Sequence, residues 1–98
     1  KVILVQDEAM CLHFSFGDYV GGVLVNTDFY YLLDNKICLI IYKDIQIIRK
    51  VIYNANNTFN LVPDNLNFDI IENIRPEEIY QIVWHRIKPV TFAQDLEC

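Results

Sequence analysis

Apolar and polar positions alternate in short stretches along this chain, and the pattern reads as β almost throughout. Val2 to Val5 forms a first short strand, ended by the polar Gln6-Asp7-Glu8. Residues Ala9 to Phe16 mix apolar and polar positions without a strand period, and Gly17-Asp18 marks a turn. Tyr19 to Val25 is a second strand, with Gly21-Gly22 inside it as a bulge or a close backbone approach. Phe29 to Leu33 and Lys36 to Tyr42 read as two strands joined by a two-residue hairpin turn at Asp34-Asn35. After a turn at Lys43-Asp44, Ile45 to Tyr53 is a long strand. Residues Asn54 to Thr58 form a turn cluster, because Asn tolerates left-handed geometry. Phe59 to Val62 resumes the sheet, which Pro63 and Asp64-Asn65 end. Pro76-Glu77-Glu78 reads as a single helical turn, with Pro at its first position and acids behind it. Ile79 to Ile87 is the final strand, closed by Pro89 and followed by a loose tail. The expected fold is therefore mainly β, built of short antiparallel strands.

Length agrees with one domain: of 98 residues, 1–90 form it and 91–98 are the tail. A hydrophobic share of 53% excludes a disordered segment, and three Gly with three Pro exclude collagen-like and linker classes. So small a domain leaves much of its surface exposed, which points some of this apolar surface toward a partner. The longest apolar run, Ile37 to Tyr42, is far short of the ~20 residues of a spanning helix, and no signal peptide is visible. Cys11, Cys38 and Cys98 are scattered and form no C-x-x-C pair, so neither a metal nor a disulfide framework is indicated. Free thiols in a reducing cytoplasm are the expectation. The net charge of −5 argues against direct binding to DNA phosphates. The missing initiator Met reads either as a piece cut from a longer chain or as a trimmed start.

Two segments carry candidate chemistry. Asp7-Glu8-Ala9-Met10-Cys11-Leu12-His13-Phe14-Ser15-Phe16-Gly17-Asp18 resembles, without a gap, the nucleophile segment of the LexA and phage CI repressor self-cleavage family. Asp7, Met10, Phe14, Gly17 and Asp18 fit its Asp-x-Ser-Met-x-Pro-x-apolar-x-x-Gly-Asp pattern. Ala9 stands at the nucleophilic Ser position and Leu12 at the Pro position. Further on, Ile47-Ile48-Arg49-Lys50-Val51 and Leu61-Val62-Pro63-Asp64-Asn65-Leu66-Asn67-Phe68 are similar to the family's lysine-bearing strand and its Leu-x-Pro-x-Asn-x-x-aromatic element. On that match Arg49 takes the catalytic Lys position and Lys50 the neighbouring Arg. Tyr80 to Pro89 is similar to the closing strand, so the resemblance spans residues 3 to 89. It implies a β-clip fold shared with signal peptidases, and a dimerising domain that serves an N-terminal helix-turn-helix.

Both departures remove chemistry. A Ser–Lys dyad needs a hydroxyl to attack the peptide carbonyl and an unprotonated amine to take its proton. Ala9 has no hydroxyl, and Arg49 keeps its charge under any protein condition. Lys50 cannot substitute if Arg49's face lines the site, because neighbours on a strand point to opposite faces. Ser15 lies six residues past the nucleophile position and reads as a polar loop serine. The expected function is a catalytically inactive dimerisation and regulatory domain of a repressor-like regulator, with no cofactor and no metal. Two alternatives remain. One is an active self-cleaving peptidase captured as a Ser→Ala variant at Ala9, which the simultaneous changes at Arg49 and Leu12 disfavour. The other is a module that holds its own linker peptide in the dead cleft by strand addition.

The remaining candidates read as structural. His13 and His85 lack metal-ligand spacing and read as surface or packing residues. Asp7-Glu8 reads as a solvated turn, and Gly21-Gly22 as strand geometry rather than a phosphate loop. Tyr80, Ile82 and Trp84 fall on one face of the last strand, as core or as the seam of a homodimer.

Overall fold

A computed structural model describes residues 1–87. The expected tail at 91–98 and the closing Pro89 lie outside them. Seven strands are present: β1 (Val2–Leu4), β2 (Tyr19–Leu24), β3 (Ile37–Tyr42), β4 (Ile45–Tyr53), β5 (Phe59–Val62), β6 (Ile71–Ile74) and β7 (Glu78–Arg86). They form one sheet in the order β1-β2-β7-β3-β4-β5-β6, every neighbouring pair antiparallel. The mainly β reading holds.

Apolar side chains leave the middle of the sheet on both faces. Cys38, Ile40, Val51 and Ile79 point into one core, closed over by Tyr30, Leu33 and Phe59. Leu39 and Ile48 point into a second, closed by Val5, Met10 and Phe14 from the segment between β1 and β2. Burial on both faces explains why β3 reads Ile-Cys-Leu-Ile-Ile-Tyr without a polar break. It also absorbs much of the chain's apolar excess.

Several expectations change. Phe29 to Leu33 is not a strand, because Thr27–Leu33 forms a 3-10 helix. Asn26 caps it: its side chain accepts from the Asp28 N–H at 2.9 Å, and its carbonyl accepts from Phe29 N–H at 2.9 Å. The three-residue period buries Tyr30 and Leu33 and leaves Phe29, Tyr31 and Leu32 exposed. Asp34-Asn35 consequently links helix to strand rather than making a hairpin, with Asn35 left-handed at φ 65°. The helical turn at 76–78 is absent: Pro76 is buried, the Glu77 N–H donates to Ile41 O at 2.8 Å, and β7 begins at Glu78. That cross-strand bond holds the segment extended. Finally, the sheet does not end at Pro63, since β6 adds a further strand whose alternation is broken by Asn73 at φ 55°.

The last strand also departs from simple alternation. Gly21 pairs with Trp84 but Gly22 pairs with Ile82, so Val83 is an extra residue on β7. Tyr80 and Ile82 pack on the second core. Past the bulge the phase flips, and Trp84 lies over Gly21 on the opposite face. A Cβ built on Gly21 would fall 2.0 Å from the indole. The three residues therefore do not share a face.

Candidate functional site

The segment from Asp7 to Asp18 is a strap of turns laid across the second core. Its backbone is tied at both ends. Gly17, left-handed at φ 92°, donates its N–H to Val5 O at 2.9 Å, and Val5 N–H donates to Asp18 O at 2.8 Å. A side chain other than Gly is disfavoured at that φ, which accounts for the glycine. Met10 and Phe14 go down into the core, while Leu12 is 74% exposed.

Ala9 is fully buried, at 0% exposure. Its N–H donates to Asp7 Oδ1 at 3.0 Å. Its carbonyl accepts two successive backbone N–H groups, from Asp64 at 2.6 Å and Asn65 at 2.9 Å. A hydroxyl added at this Cβ would sit in a sealed position, without the access to a substrate carbonyl that acyl transfer requires.

Arg49 reaches the same place from β4. Beyond Val62 the fifth strand leaves β4, so Arg49 is flanked there by the loop that supplies Phe68. Its Nη1 donates to Asp7 Oδ2 at 3.2 Å and to Ile48 O at 2.8 Å. The guanidinium carbon lies 5.4 Å from the Phe68 ring centroid, within cation–π range. The side chain is 6% exposed, against 37% for Asp7, and Nε is buried with no hydrogen-bond partner among the described residues. Strand alternation sends Lys50 to the face opposite Arg49, that of Ile48, which is the face the strap covers, so, contrary to expectation, Lys50 does not point away from the strap.

Two histidine–aspartate pairs fasten the strap. His13 Nδ1 and Asp64 Oδ2 are 2.6 Å apart, linking the strap to the loop after β5. His85 Nε2 on β7 is 2.7 Å from Oδ2 of Asp18, which is 2% exposed and also accepts the Ser15 N–H at 2.9 Å. The His85 ring meets Phe14 edge-on, with centroids 4.8 Å apart. Both histidines thus pair with an aspartate distant in sequence, which their spacing did not show. Among the described residues no cluster of three or more His, Cys, Asp or Glu is placed to hold a metal ion.

The structure therefore gathers Asp7, Ala9 and Arg49 into one cluster, with Met10, Gly17 and Asp18 as the strap's packing, hinge and clamp. Asp7 keeps contact with solvent and is also the acceptor for a buried guanidinium. Phe68 and Asp64 belong to the cluster too, although only their place in the Leu61–Phe68 element hinted at it. No hydroxyl stands at 9 and no amine able to lose a proton stands at 49.

The cysteines differ from expectation. Cys11 is disulfide-bonded rather than free. Cys38 is a free thiol, 0% exposed, and its burial pushes its pKa up to about 12. No helix among the described residues is long and apolar enough to cross a membrane. The chain matches no described family model and no curated protein.

Proposed function

We propose that this domain is a catalytically silent, LexA/CI-repressor-like assembly module that dimerises a transcriptional regulator whose DNA-binding part lies outside the chain. The observation that carries the reading is Ala9 at 0% exposure, sharing Asp7 with the buried Arg49. Both positions that the resemblance pairs contact Asp7, Ala9 through its N–H and Arg49 through Nη1; the first is sealed and the second is spent on an ion pair. A scaffold that retains such a juxtaposition without its reactive groups has kept the fold for another purpose. The β-clip likeness remains part of the proposal.

Assembly is supported by the outer face of β1, β2 and β7. Beside Trp84, alternation and pairing place Val2, Tyr19 and Val23 on one side, exposed by 60%, 47% and 57%. An aromatic and aliphatic face of this kind marks a partner site. Joining two copies would bring two operator readers to adjacent half-sites and raise their effective concentration. A cytoplasmic location belongs to the same proposal, and the disulfide at Cys11 weighs against it.

A second reading has one observation in its favour. Backbone bonds join Lys1 with Gly22 and Val5 with Asp18, so the intervening Val2 and Leu4 turn their backbone groups to the open edge. These open N–H and C=O groups would pair with an added strand of linker peptide along β1.

Cleavage decides between silence and activity. Ala9→Ser and the Ala9→Ser/Arg49→Lys pair, made in the full-length protein and incubated at alkaline pH, should stay intact. A specific cleaved band in the single variant would restore the peptidase reading. One that needs both changes would mean that the substrate segment is still bound.

A further inference from the structure

The β3–β4 hairpin ends in a two-residue turn, Lys43-Asp44, between the paired Tyr42 and Ile45. Both turn residues are left-handed, at φ 49° and 61°. Such turns favour Asn-Gly, because a Cβ in the left-handed region crowds its own backbone. Lys is therefore held here against conformational preference, whereas Asp accepts this geometry readily. Asn73, at φ 55°, faces the same place from β6. The strained residue of the groove is thus Lys43, and strained backbone gathers at ligand sites.

The groove measures about 440 Å³, within the size range of small-molecule sites. Tyr42 and Ile74 line it, and both pack against the first core, so its floor is apolar and fixed. Charges of both signs stand around it: Lys43 and Arg75 on one account, Asp44 and Glu77 on the other. The acidic pair is organised, since the Asp44 N–H reaches Glu77 Oε1 at 3.5 Å and the Glu77 N–H is fixed on Ile41 O.

We infer that this groove binds a small zwitterion with an apolar body, an α-amino acid carrying an aliphatic or aromatic side chain. The ligand carboxylate would meet Lys43 and Arg75, its ammonium group Asp44 and Glu77, and its side chain the Tyr42–Ile74 floor. A purely anionic or purely cationic ligand would leave one pair of protein charges opposed to it. The site lies apart from the Ala9–Arg49 cluster and stands whether or not that cluster is silent.

The test is titration of the whole chain with L-leucine and L-phenylalanine, followed by backbone amide shifts in NMR. Saturable shifts are expected at Lys43, Asp44, Asn73 and Glu77, with a Kd below about 10 mM. N-acetyl-L-leucine, which lacks the cation, and L-leucine amide, which lacks the anion, should each bind at least about tenfold more weakly. No saturable shift, or equal affinity for the capped analogues, would overturn the inference. Lys43→Gly separates binding from folding. It should raise the thermal midpoint by relieving the turn while weakening leucine binding about tenfold or more. A glycine variant that gains stability and keeps full affinity would overturn it as well.

Discussion

Nη1 of Arg49 lies 3.2 Å from Oδ2 of Asp7, a residue 42 positions earlier in the chain. This pair fastens the strap of Asp7 to Asp18 to the long central strand, and it does so at the position where the sequence resemblance expects a catalytic amine. The guanidinium is almost wholly buried, whereas Asp7 retains contact with solvent. The energetic stake therefore sits on the arginine, whose one ion pair among the described residues is with Asp7.

Asp7→Asn should destabilise the domain by about 1–3 kcal/mol, below the cost of a fully buried pair because the carboxylate is partly hydrated. Arg49→Met alone should cost less than Asp7→Asn, since it removes the buried charge instead of orphaning it. The Asp7→Asn/Arg49→Met pair should recover most of the loss. Urea unfolding of the four proteins in a double-mutant cycle measures the coupling, and additive effects would mean the pair contributes nothing.

Gly21→Ala places a methyl group into the indole of Trp84. Overpacking of this kind costs about 1–3 kcal/mol, unless the ring swings away. Trp84 is the chain's single tryptophan, so its emission reports the outcome directly. A red-shifted spectrum with near-normal stability is expected if the ring moves. Adding Trp84→Ala should abolish the effect of Gly21→Ala on stability.

The bulge at Val83 divides β7 into residues that hold the fold and residues available to a partner. Ile82→Glu should unfold or strongly destabilise the domain, because Ile82 packs on the second core. Trp84→Glu and Val23→Glu should leave the circular dichroism spectrum unchanged and shift the protein to monomer in sedimentation on the order of 100 µM. A wild-type monomer at that concentration would remove self-association from the proposed function.

Cys38 gives a pH prediction with a definite sign. Burial holds its thiol protonated up to about 12, against 9.0 for a free thiol. The folded state therefore keeps a proton that the unfolded chain loses. This contribution is fully present below about pH 9 and is lost as the pH climbs toward 12. Burial, then the nearby charge of Glu78, raises Tyr30 as well, which adds to alkaline destabilisation in the same direction. Cys38→Val should flatten the alkaline limb of a stability profile taken by urea unfolding. In the folded protein, Cys38 should also resist thiol reagents at pH 8.

The disulfide at Cys11 is checked by thiol counting. With three cysteines in the chain, the fully denatured, unreduced protein should show fewer than three reactive thiols. A count of three would return the chain to the reducing-compartment expectation.

Strand positions were legible wherever residues obeyed the two-residue period, as in Ile45–Tyr53 and Phe59–Val62. The failures share a cause: a local hydrogen bond overrode composition. Tyr-Tyr-Leu-Leu is strand chemistry, but the Asn26 cap set a three-residue period that suits a core on one side. Pro76-Glu77-Glu78 carries helix-start signals, yet the Glu77 N–H was taken by a neighbouring strand. Of the site, the family resemblance alone paired Ala9 with Arg49 and put Asp7 in the same motif, while residue chemistry read Asp7 as a solvated turn residue. It could not show that Ala9 is sealed, because that depends on where the Asp64 and Asn65 amides fall. Nor could it show Trp84 parting from Tyr80 and Ile82, since one inserted residue reverses every later side chain.

The outermost strand, β6, has a consequence for how such an apolar chain stays dispersed. An open sheet margin templates growth by further strands when it is long, flat and regularly paired. Here the margin is four residues long and kinked at Asn73, whose own N–H is taken by Asn60 Oδ1 at 3.0 Å and whose side-chain oxygen is taken by Asn54 at 3.2 Å. At this margin, unlike the open edge of β1, a neighbouring molecule finds no continuous ladder to extend. A mutation that straightened Asn73, such as Asn73→Val, would convert this blunt margin into a template for fibrillar aggregation.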